Sequence, residues 1–243
     1  VMGAADGGTG QGQLVFRVQL LGNAESAGFG HELAGDLKLA QDEQDAALSD
    51  YQKAHELMPR TETVLKLDAL VRSMGRQSNL LSDWLKEHPA DVKVRLVRAT
   101  QLHTEGTGSQ AITEYEHMLE AQGENPIVLN NLAWLYHEAG DKRSIELAQR
   151  AYALAPQSPE IMDTYGWILV NSERQEQGLE LLNKARDAAP NNPDIVYHAA
   201  SAINDAGDRK QAQSLLRGIL EEHESFPLRA DAEALYNELT ATD

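Results

Sequence analysis

Apolar residues recur along this chain at the spacing of an amphipathic helix and not with the alternation of a strand. Ala47, Tyr51 and Ala54 fall on one helical face, and Pro59 ends that segment. Small residues such as Gly35 and Ala47 allow two antiparallel helices to approach closely, and Tyr51 fills the space between them. The pattern therefore predicts pairs of antiparallel helices.

The same pattern returns at a fixed period in the C-terminal half of the chain. Pro126, Pro159 and Pro193 stand 33 and 34 residues apart, and each opens a similar apolar run. This is the period of helix–turn–helix repeat arrays, in which each repeat buries its apolar face against its neighbours. The residue before each proline is Asn or Ser, whose side chain is predicted to cap the N-terminus of a helix.

Turn residues and helix-breaking residues divide the chain into six helix pairs. The predicted repeats cover about 25–59, 60–89, 90–124, 125–157, 158–191 and 192–224, followed by a capping helix at 228–240. The second repeat is short after Gly75, so its second helix is expected at about 79–87, with Trp84 filling the gap. We predict an all-α, right-handed superhelix of about six helix pairs plus a C-terminal capping helix, forming a single solenoid domain at 13–243.

The N-terminal segment differs from the rest of the chain in composition. Residues 1–12 are rich in glycine and lack the basic region of a signal peptide, so we expect a flexible or vector-derived leader. Residues 13–21 are short and apolar, and beside a helical array we expect a helix left over from an upstream repeat. No run reaches the roughly 18 apolar residues of a membrane span, so we expect no membrane span in this chain, which we interpret as a fragment of a longer protein.

Composition and spacing argue against several functional classes. The net charge of −17 disfavours binding to a phosphate backbone, so nucleic acid is not an expected partner. The chain has no cysteine, which excludes disulfides and thiolate chemistry. No histidine has the helical spacing of a zinc site, and the glycine pairs at 28–30 and 106–108 are expected in turns without the strand of a nucleotide site. We expect no metal, no cofactor and no catalytic residue.

Gly35, Ala47, Tyr51, Ala54 and Pro59 together resemble the tetratricopeptide-repeat (TPR) signature. Part of the signature returns as Gly166, Ala185 and Pro190 in the fifth repeat, and the resemblance covers about 25–224. It implies a stack of helix pairs that presents a concave surface to a partner. Because one fold supports many functions, it does not by itself name that partner.

A narrower resemblance rests on five runs taken in order. They are LSDWLKEHP (81–89), NNLAWLY (130–136), AQRAYALAP (148–156), DTYGWIL (163–169) and FPLRADAEAL (226–235). Together they are similar to the C-terminal part of the bacterial TPR-repeat lipoproteins of the PEP-CTERM/exosortase system, the PrsT type. The resemblance implies a periplasmic, envelope-facing scaffold in exopolysaccharide assembly or export. This chain lacks the lipidation cysteine and departs from the small-residue consensus at Ser144 and Gly178.

The first helix of each pair is expected to line the concave groove of the array. Helical spacing assigns eleven groove candidates: Asn130, Asn131, Trp134, His137 and Glu138 in the fourth repeat, Asp163, Trp167 and Asn171 in the fifth, and Tyr197, Ser201 and Asn204 in the sixth. Two interpretations of Trp134 and Trp167 stay open. They bind an extended peptide or a sugar ring through their flat apolar faces, or they pack between adjacent repeats.

The charge of the groove candidates bears on the partner. TPR grooves that hold acidic C-terminal peptides need converging Lys, Arg and Asn side chains. Asn131 is available here, but Glu138 and Asp163 occupy the other groove positions. We therefore reject that type of partner, because an acidic groove favours a basic or neutral ligand.

The most direct function for such a chain is that of a non-catalytic protein–protein interaction scaffold, whose partner is an extended peptide or a folded envelope protein. An alternative within binding is direct capture of a polysaccharide strand in the groove. An alternative from another class is a substrate-recruiting arm of an enzyme whose catalytic domain lies outside this fragment. The resemblance favours a periplasmic location, with the cytoplasm as the alternative.

Overall fold

The computed structural model describes the backbone of residues 9–241 and the side chains of residues 23–241. Over that range the chain forms thirteen α-helices and no strand, which confirms the all-α prediction. By its internal contacts the chain divides into two compact units, Val1–Arg98 and Ala99–Asp243, with the boundary inside one helix. The expectation of a single domain at 13–243 stays a prediction, and the two units are described separately.

The helices follow the predicted order of six pairs and one terminal helix. In the first unit they are α1 (Thr9–Ala40), α2 (Gln44–Leu57), α3 (Thr61–Ser73) and α4 (Leu80–Glu87). Helix α5 (Val92–Thr104) contains the boundary. In the second unit they are α6 (Gly108–Gln122), α7 (Pro126–Glu138), α8 (Arg143–Leu154), α9 (Pro159–Val170), α10 (Gln175–Ala188), α11 (Pro193–Asp205), α12 (Arg209–Glu222) and α13 (Arg229–Ala241).

Close helix approach at small residues is confirmed in the first pair. A Cβ atom placed on Gly35 would lie 2.6 Å from the Tyr51 ring. Tyr51 is buried beside Ala47 in a cluster shared with Leu67 and Leu70 of α3. Glycine at position 35 is therefore required so that the Tyr51 ring can lie against α1.

The short second repeat also follows the prediction. Helix α4 has eight residues, and Trp84 is buried against Val64, Leu81 and Val94. Its indole Nε1 donates a hydrogen bond to Asp91 Oδ2 at 2.9 Å. The buried polar atom of the tryptophan is thus satisfied, and the ring fills the space that the short helix leaves.

Three helices begin at the prolines where the sequence predicts a helix start, but only two of the three predicted N-terminal caps are present. Helices α7, α9 and α11 begin at Pro126, Pro159 and Pro193. Asn125 accepts hydrogen bonds from the backbone N–H groups of residues 127 and 128, and Asn192 accepts from those of residues 194 and 195. The expectation for the third residue, Ser158, is wrong. Its hydroxyl donates instead to the Glu160 carboxylate at 2.7 Å and leaves the backbone donors without a side-chain cap.

Two expectations near the N-terminus need correction. Residues 13–21 are helical, but they are continuous with α1 and do not form a separate helix. The glycine pair at 28–30 also lies inside α1, whereas the pair at 106–108 does lie at the turn between α5 and α6. Residues 1–8 of the expected leader lie outside the described residues, and residues 9–12 belong to α1.

The terminal helix covers an apolar surface, as expected for a cap. Ala232 and Leu239 of α13 are buried in one cluster with Val196 and Ile203 of α11 and Leu216 of α12. The outer face of α13 carries exposed polar residues. An array of this kind needs such an end, because its last repeat has no neighbour to bury its apolar face.

Candidate functional site

The first helices of the last three repeats carry a cluster of aromatic and polar side chains. Trp134 of α7 and Trp167 of α9 lie 33 residues apart, one repeat length, and so occupy equivalent positions on neighbouring helices. Both rings are half-buried. The Trp167 ring packs against the buried Leu182, Ala199 and Ala202. The structure thus shows that Trp167 both contacts the next repeat and keeps part of its ring exposed.

A histidine joins the two tryptophans. The His198 ring of α11 stacks on Trp167 with ring centroids 4.3 Å apart and an interplanar angle of 26°. Its centroid also lies 5.9 Å from that of Trp134. His198 Nδ1 is 2.8 Å from Asp163 Oδ2 of α9, within hydrogen-bond distance. Side chains from three successive repeats therefore meet at this point.

The Asp163 carboxyl group of this cluster is buried and only partly hydrogen-bonded. Asp163 is only 8% exposed, and His198 only 5%. Burial raises the pKa of the Asp163 carboxyl above its ordinary value, and the hydrogen bond with His198 opposes that rise. The second carboxylate oxygen, Oδ1, is buried without a hydrogen-bond partner. Asn130, at the equivalent position of α7, likewise has a buried Oδ1 without a partner.

The remaining candidates of the fourth repeat have partners within the second unit. Asn131 is half-buried and donates to the Tyr115 hydroxyl at 3.1 Å. Glu138 is exposed and lies 3.0 Å from His103 Nε2. His137 lies 6.2 Å from Trp134 between ring centroids, and burial lowers its pKa. Asn131 is thus engaged in packing α6 against α7.

The remaining candidates are Asn171, which directly follows α9, and Tyr197, Ser201 and Asn204, which lie along α11. Asn171 is exposed and donates back to the Trp167 carbonyl at 2.8 Å, closing the end of α9. Tyr197 and Ser201 are half-buried, and burial raises the pKa of the Tyr197 hydroxyl. Asn204 is half-buried beside Asp205. Tyr197 also packs against the cluster that α13 covers.

His198 is the central residue that sequence reasoning missed. Helical spacing pairs a histidine only with residues of its own helix, whereas Asp163 lies 35 residues before His198 on another helix. In a repeat array, residues about one period apart become neighbours. The positions 33 and 34 residues after Asp163 are Val196 and Tyr197, next to His198, so the repeat period indicates the neighbourhood of this contact but not the pair itself.

The first unit contains a second charged cluster, which is internally satisfied. Glu32 of α1 is buried and receives hydrogen bonds from Arg60, Thr63 and Lys66 of the next repeat. Lys66 also bonds both oxygens of Asp36 at 2.8 Å. Burial raises the pKa of Glu32, but these bonds outweigh it and leave that pKa below its ordinary value. The cluster therefore holds α1 against α3 and contrasts with the incompletely paired Asp163.

The residues that the structure describes contain no group of three or more His, Asp or Glu side chains arranged to hold a metal ion. None of their helices has both the length and the apolarity needed to cross a bilayer.

Comparison with solved structures gives the same architecture. A tetratricopeptide-repeat protein from Parabacteroides merdae matches with a TM-score of 0.71 at 13% identity, covering 89% of this chain and 87% of its own. The fold is a TPR fold. A TPR protein from Thermus thermophilus matches at a TM-score of 0.55 and 15% identity, covering 88% of this chain and 100% of its own. Yeast Tom70 also matches at 0.55, with 16% identity over 96% of this chain and 57% of Tom70.

Sequence comparison is less informative than structure. No family model matches the chain. The bovine (Bos taurus) BBSome complex member BBS4 is 24% identical over 188 residues. That alignment covers 74% of this chain but only 36% of the bovine protein. These similarities describe a TPR fold and leave the partner of this chain to be inferred from its own residues.

Proposed function

We propose that this chain is a non-catalytic protein-interaction scaffold. Its binding surface is the groove lined by α7, α9 and α11, and its ligand is an extended peptide segment of a partner protein. The TPR fold supports this proposal because stacked helix pairs create an extended concave surface.

The observation that carries the proposal is the partial exposure of two tryptophans at repeat-equivalent positions. Tryptophan is enriched at the centres of protein interfaces because it combines a large apolar face with one N–H donor. The Asp163–His198 pair braces the groove wall, since the His198 ring stacks directly on Trp167. A wall held in this way offers a preformed surface, which lowers the entropic cost of binding.

Replacement of the tryptophans tests the proposal. Peptides that bind the wild-type chain are first selected from a displayed library. Fluorescence anisotropy then gives the Kd of each peptide for the wild type, Trp134→Ala, Trp167→Ala and the double variant. We expect each single change to weaken binding by about 2 kcal/mol, roughly 30-fold, as for a central interface residue. Leu154→Ala, which truncates an exposed apolar side chain at the end of α8, serves as the control.

The fold must be checked alongside binding, because Trp167 also packs between repeats. Circular dichroism and a urea unfolding curve show whether each variant is folded. Trp167→Phe keeps an aromatic face if Trp167→Ala unfolds. A folded double variant that binds with wild-type affinity would contradict the groove proposal. Selective binding of oligosaccharides and not of peptides would favour the polysaccharide alternative.

We further propose that the full-length protein serves exopolysaccharide assembly or export from the periplasm. Support comes from the five sequence runs that resemble PrsT-type lipoproteins. Fractionation of the native cells with an antibody to this chain tests the location. Recovery in the periplasmic or membrane-anchored fraction is expected, and recovery in the cytoplasm alone, or fusion to a catalytic domain, would contradict it.

A further inference from the structure

A small cavity of about 210 Å³ lies between the end of α9, the start of α10 and the end of α11. Its apolar lining consists of Val170, Leu179, Ala202 and Ala206. Val170 and Leu179 also pack against the cluster that holds Trp167, so the cavity lies beside the groove. Its volume is below that of typical small-molecule sites, about 300–1,000 Å³, and suits one side chain of a larger partner.

The rim of this cavity is acidic. Glu176 and Asp205 both line it and both are exposed, together with the neutral Gln175. The described ion pairs include neither carboxylate, and Asp205 has only a long contact of 3.4 Å from the Asn204 amide. An apolar floor under an anionic rim complements a side chain with an aliphatic stem and a cationic head.

Helix dipoles also act on a charge at this rim. Asp205 is the last residue of α11 and Val170 the last of α9, so both lie where helix dipoles concentrate negative charge. An aspartate at a helix C-terminus is itself disfavoured by the dipole, and the last turn of α11 has no basic residue. The N-terminus of α10, in whose first turn Glu176 lies, has the opposite polarity and partly offsets the two C-terminal ends, so the two carboxylates are what favours a positive charge at this rim.

The positions equivalent to Glu176 in the neighbouring repeats carry the opposite charge. The residues 17 places after Pro126, Pro159 and Pro193 are Arg143, Glu176 and Lys210 respectively. Only the fifth repeat thus places an acid at this position, among the three pairs that form the groove. The acid at position 176 is therefore a local feature of this cavity and not a property that the repeat imposes.

We propose that this cavity accepts a lysine or arginine side chain of the bound partner peptide. The inference rests on the proposed peptide-binding function and specifies the chemistry of its ligand. The aliphatic stem contacts Val170, Leu179 and Ala202, and the cationic head lies between Glu176 and Asp205. The site would make the array selective for basic segments.

The test uses defined peptides against the ¹⁵N-labelled chain. The probe is a capped five-residue peptide with one central lysine in an alanine–serine background, compared with its norleucine counterpart, which keeps the stem and removes the charge. We expect saturable amide shifts at Val170, Leu179 and Ala202 with the lysine peptide. We expect the norleucine peptide to bind at least about fivefold more weakly, as two partly exposed ion pairs would require.

Charge-neutralising variants complete the design. Glu176→Gln and Asp205→Asn are each expected to raise the Kd of the lysine peptide about two- to fivefold. Glu221→Gln makes the same change in net charge at the end of α12 and should leave the Kd unchanged. Equal binding of lysine and norleucine peptides, or shifts at Trp134 and Trp167 without shifts at Glu176, Leu179 and Asp205, would overturn the cavity proposal. Shifts at the tryptophans alone would leave the groove proposal in place. If the selected peptides bind the Trp134→Ala/Trp167→Ala double variant with wild-type affinity, the groove proposal alone would be overturned.

Discussion

Gly178 fixes how closely α9 and α10 approach each other. A Cβ atom at this position would lie 2.6 Å from both the Gly166 carbonyl oxygen and the Val170 amide nitrogen, which are backbone atoms. Gly166 faces it under the same restriction, since its own Cβ would lie 3.0 Å from the Gly178 carbonyl oxygen. The two glycines therefore let the backbones themselves come into contact.

We expect Gly178→Ala to destabilise the chain by about 2 kcal/mol, because overpacking outweighs the better helix propensity of alanine. Gly218→Ala is the matched control. Gly218 lies within α12, and a Cβ atom there would meet no atom within 4 Å apart from the backbone of its own helix. That change should stabilise the chain by about 0.5–1 kcal/mol. Urea unfolding curves measure both. Equal effects of the two substitutions would show that the α9–α10 contact is looser than described.

Asp163 gives the stability a pH dependence with a definite sign. Its pKa is raised in the folded chain relative to its ordinary value of 3.8, so the folded state holds the proton more tightly than the unfolded state. The resulting contribution is favourable at low pH and is lost as pH rises from about 4 through the raised pKa. We expect Asp163→Asn to gain stability relative to wild type as pH rises through that window.

Unfolding curves of both proteins between pH 4 and pH 7.5 test this expectation. Asparagine can still accept a hydrogen bond from His198 through its side-chain oxygen, so the geometry of the pair is retained. A difference between the two proteins that stays constant with pH would contradict a raised pKa of Asp163 in the folded chain.

The residue before a helix decides whether the first backbone N–H groups of that helix are capped. Asn125 accepts two backbone N–H bonds at the start of α7, at 2.9 Å and 3.3 Å. Ser158 occupies the same place before α9 and makes no such bond. Proline follows both residues, so the helix begins at the same position with or without the cap.

This contrast gives a paired prediction. Asn125→Ala should lower the free energy of unfolding by about 1 kcal/mol, the ordinary cost of a lost N-cap. Ser158→Ala should change it by less than about 0.5 kcal/mol, because no cap is lost. Thermal and urea unfolding measure the difference. A large effect of Ser158→Ala would indicate that the serine caps α9 in solution.

Elements were the level at which sequence reasoning worked best. Helix starts at proline and the shortened α4 were predictable because the signals are local. The continuity of α1 was not, since the glycines at 28 and 30 suggested a turn. A Cβ atom on Gly28 would lie 2.7 Å from the Cβ of Met58, the residue that follows α2, so this glycine lets α1 lie close to the end of α2.

Within the second unit, we expect each helix pair to be stabilised mainly by the helix pairs that it contacts directly. Helix α13 covers the apolar residues of α11 and α12, and the Asp194 carboxylate accepts a hydrogen bond from the Leu228 amide at 3.1 Å. Deletion of residues 225–243 exposes that surface and should reduce hydrogen-exchange protection most in α11 and α12. Helices α7 and α8 should keep most of theirs, because a repeat array is stabilised through nearest neighbours.

Leu239→Ala is the milder form of the same change. Leu239 is 2% exposed, and its truncation should cost about 3 kcal/mol through the cavity that it leaves. Loss of protection spread evenly over the second unit in either variant would contradict the nearest-neighbour picture.

The sequence by itself determined the helical repeat, its 33- and 34-residue period and the positions at which helices α7, α9 and α11 begin. These features follow from local preferences and from periodicity, both of which are visible along the chain. Only the tertiary structure decided that Asp163 meets His198, that Trp167 both packs and stays exposed, and that Glu176 and Asp205 share one cavity. Such pairings join residues about one repeat apart, and their distances and burial arise only when successive helix pairs are stacked.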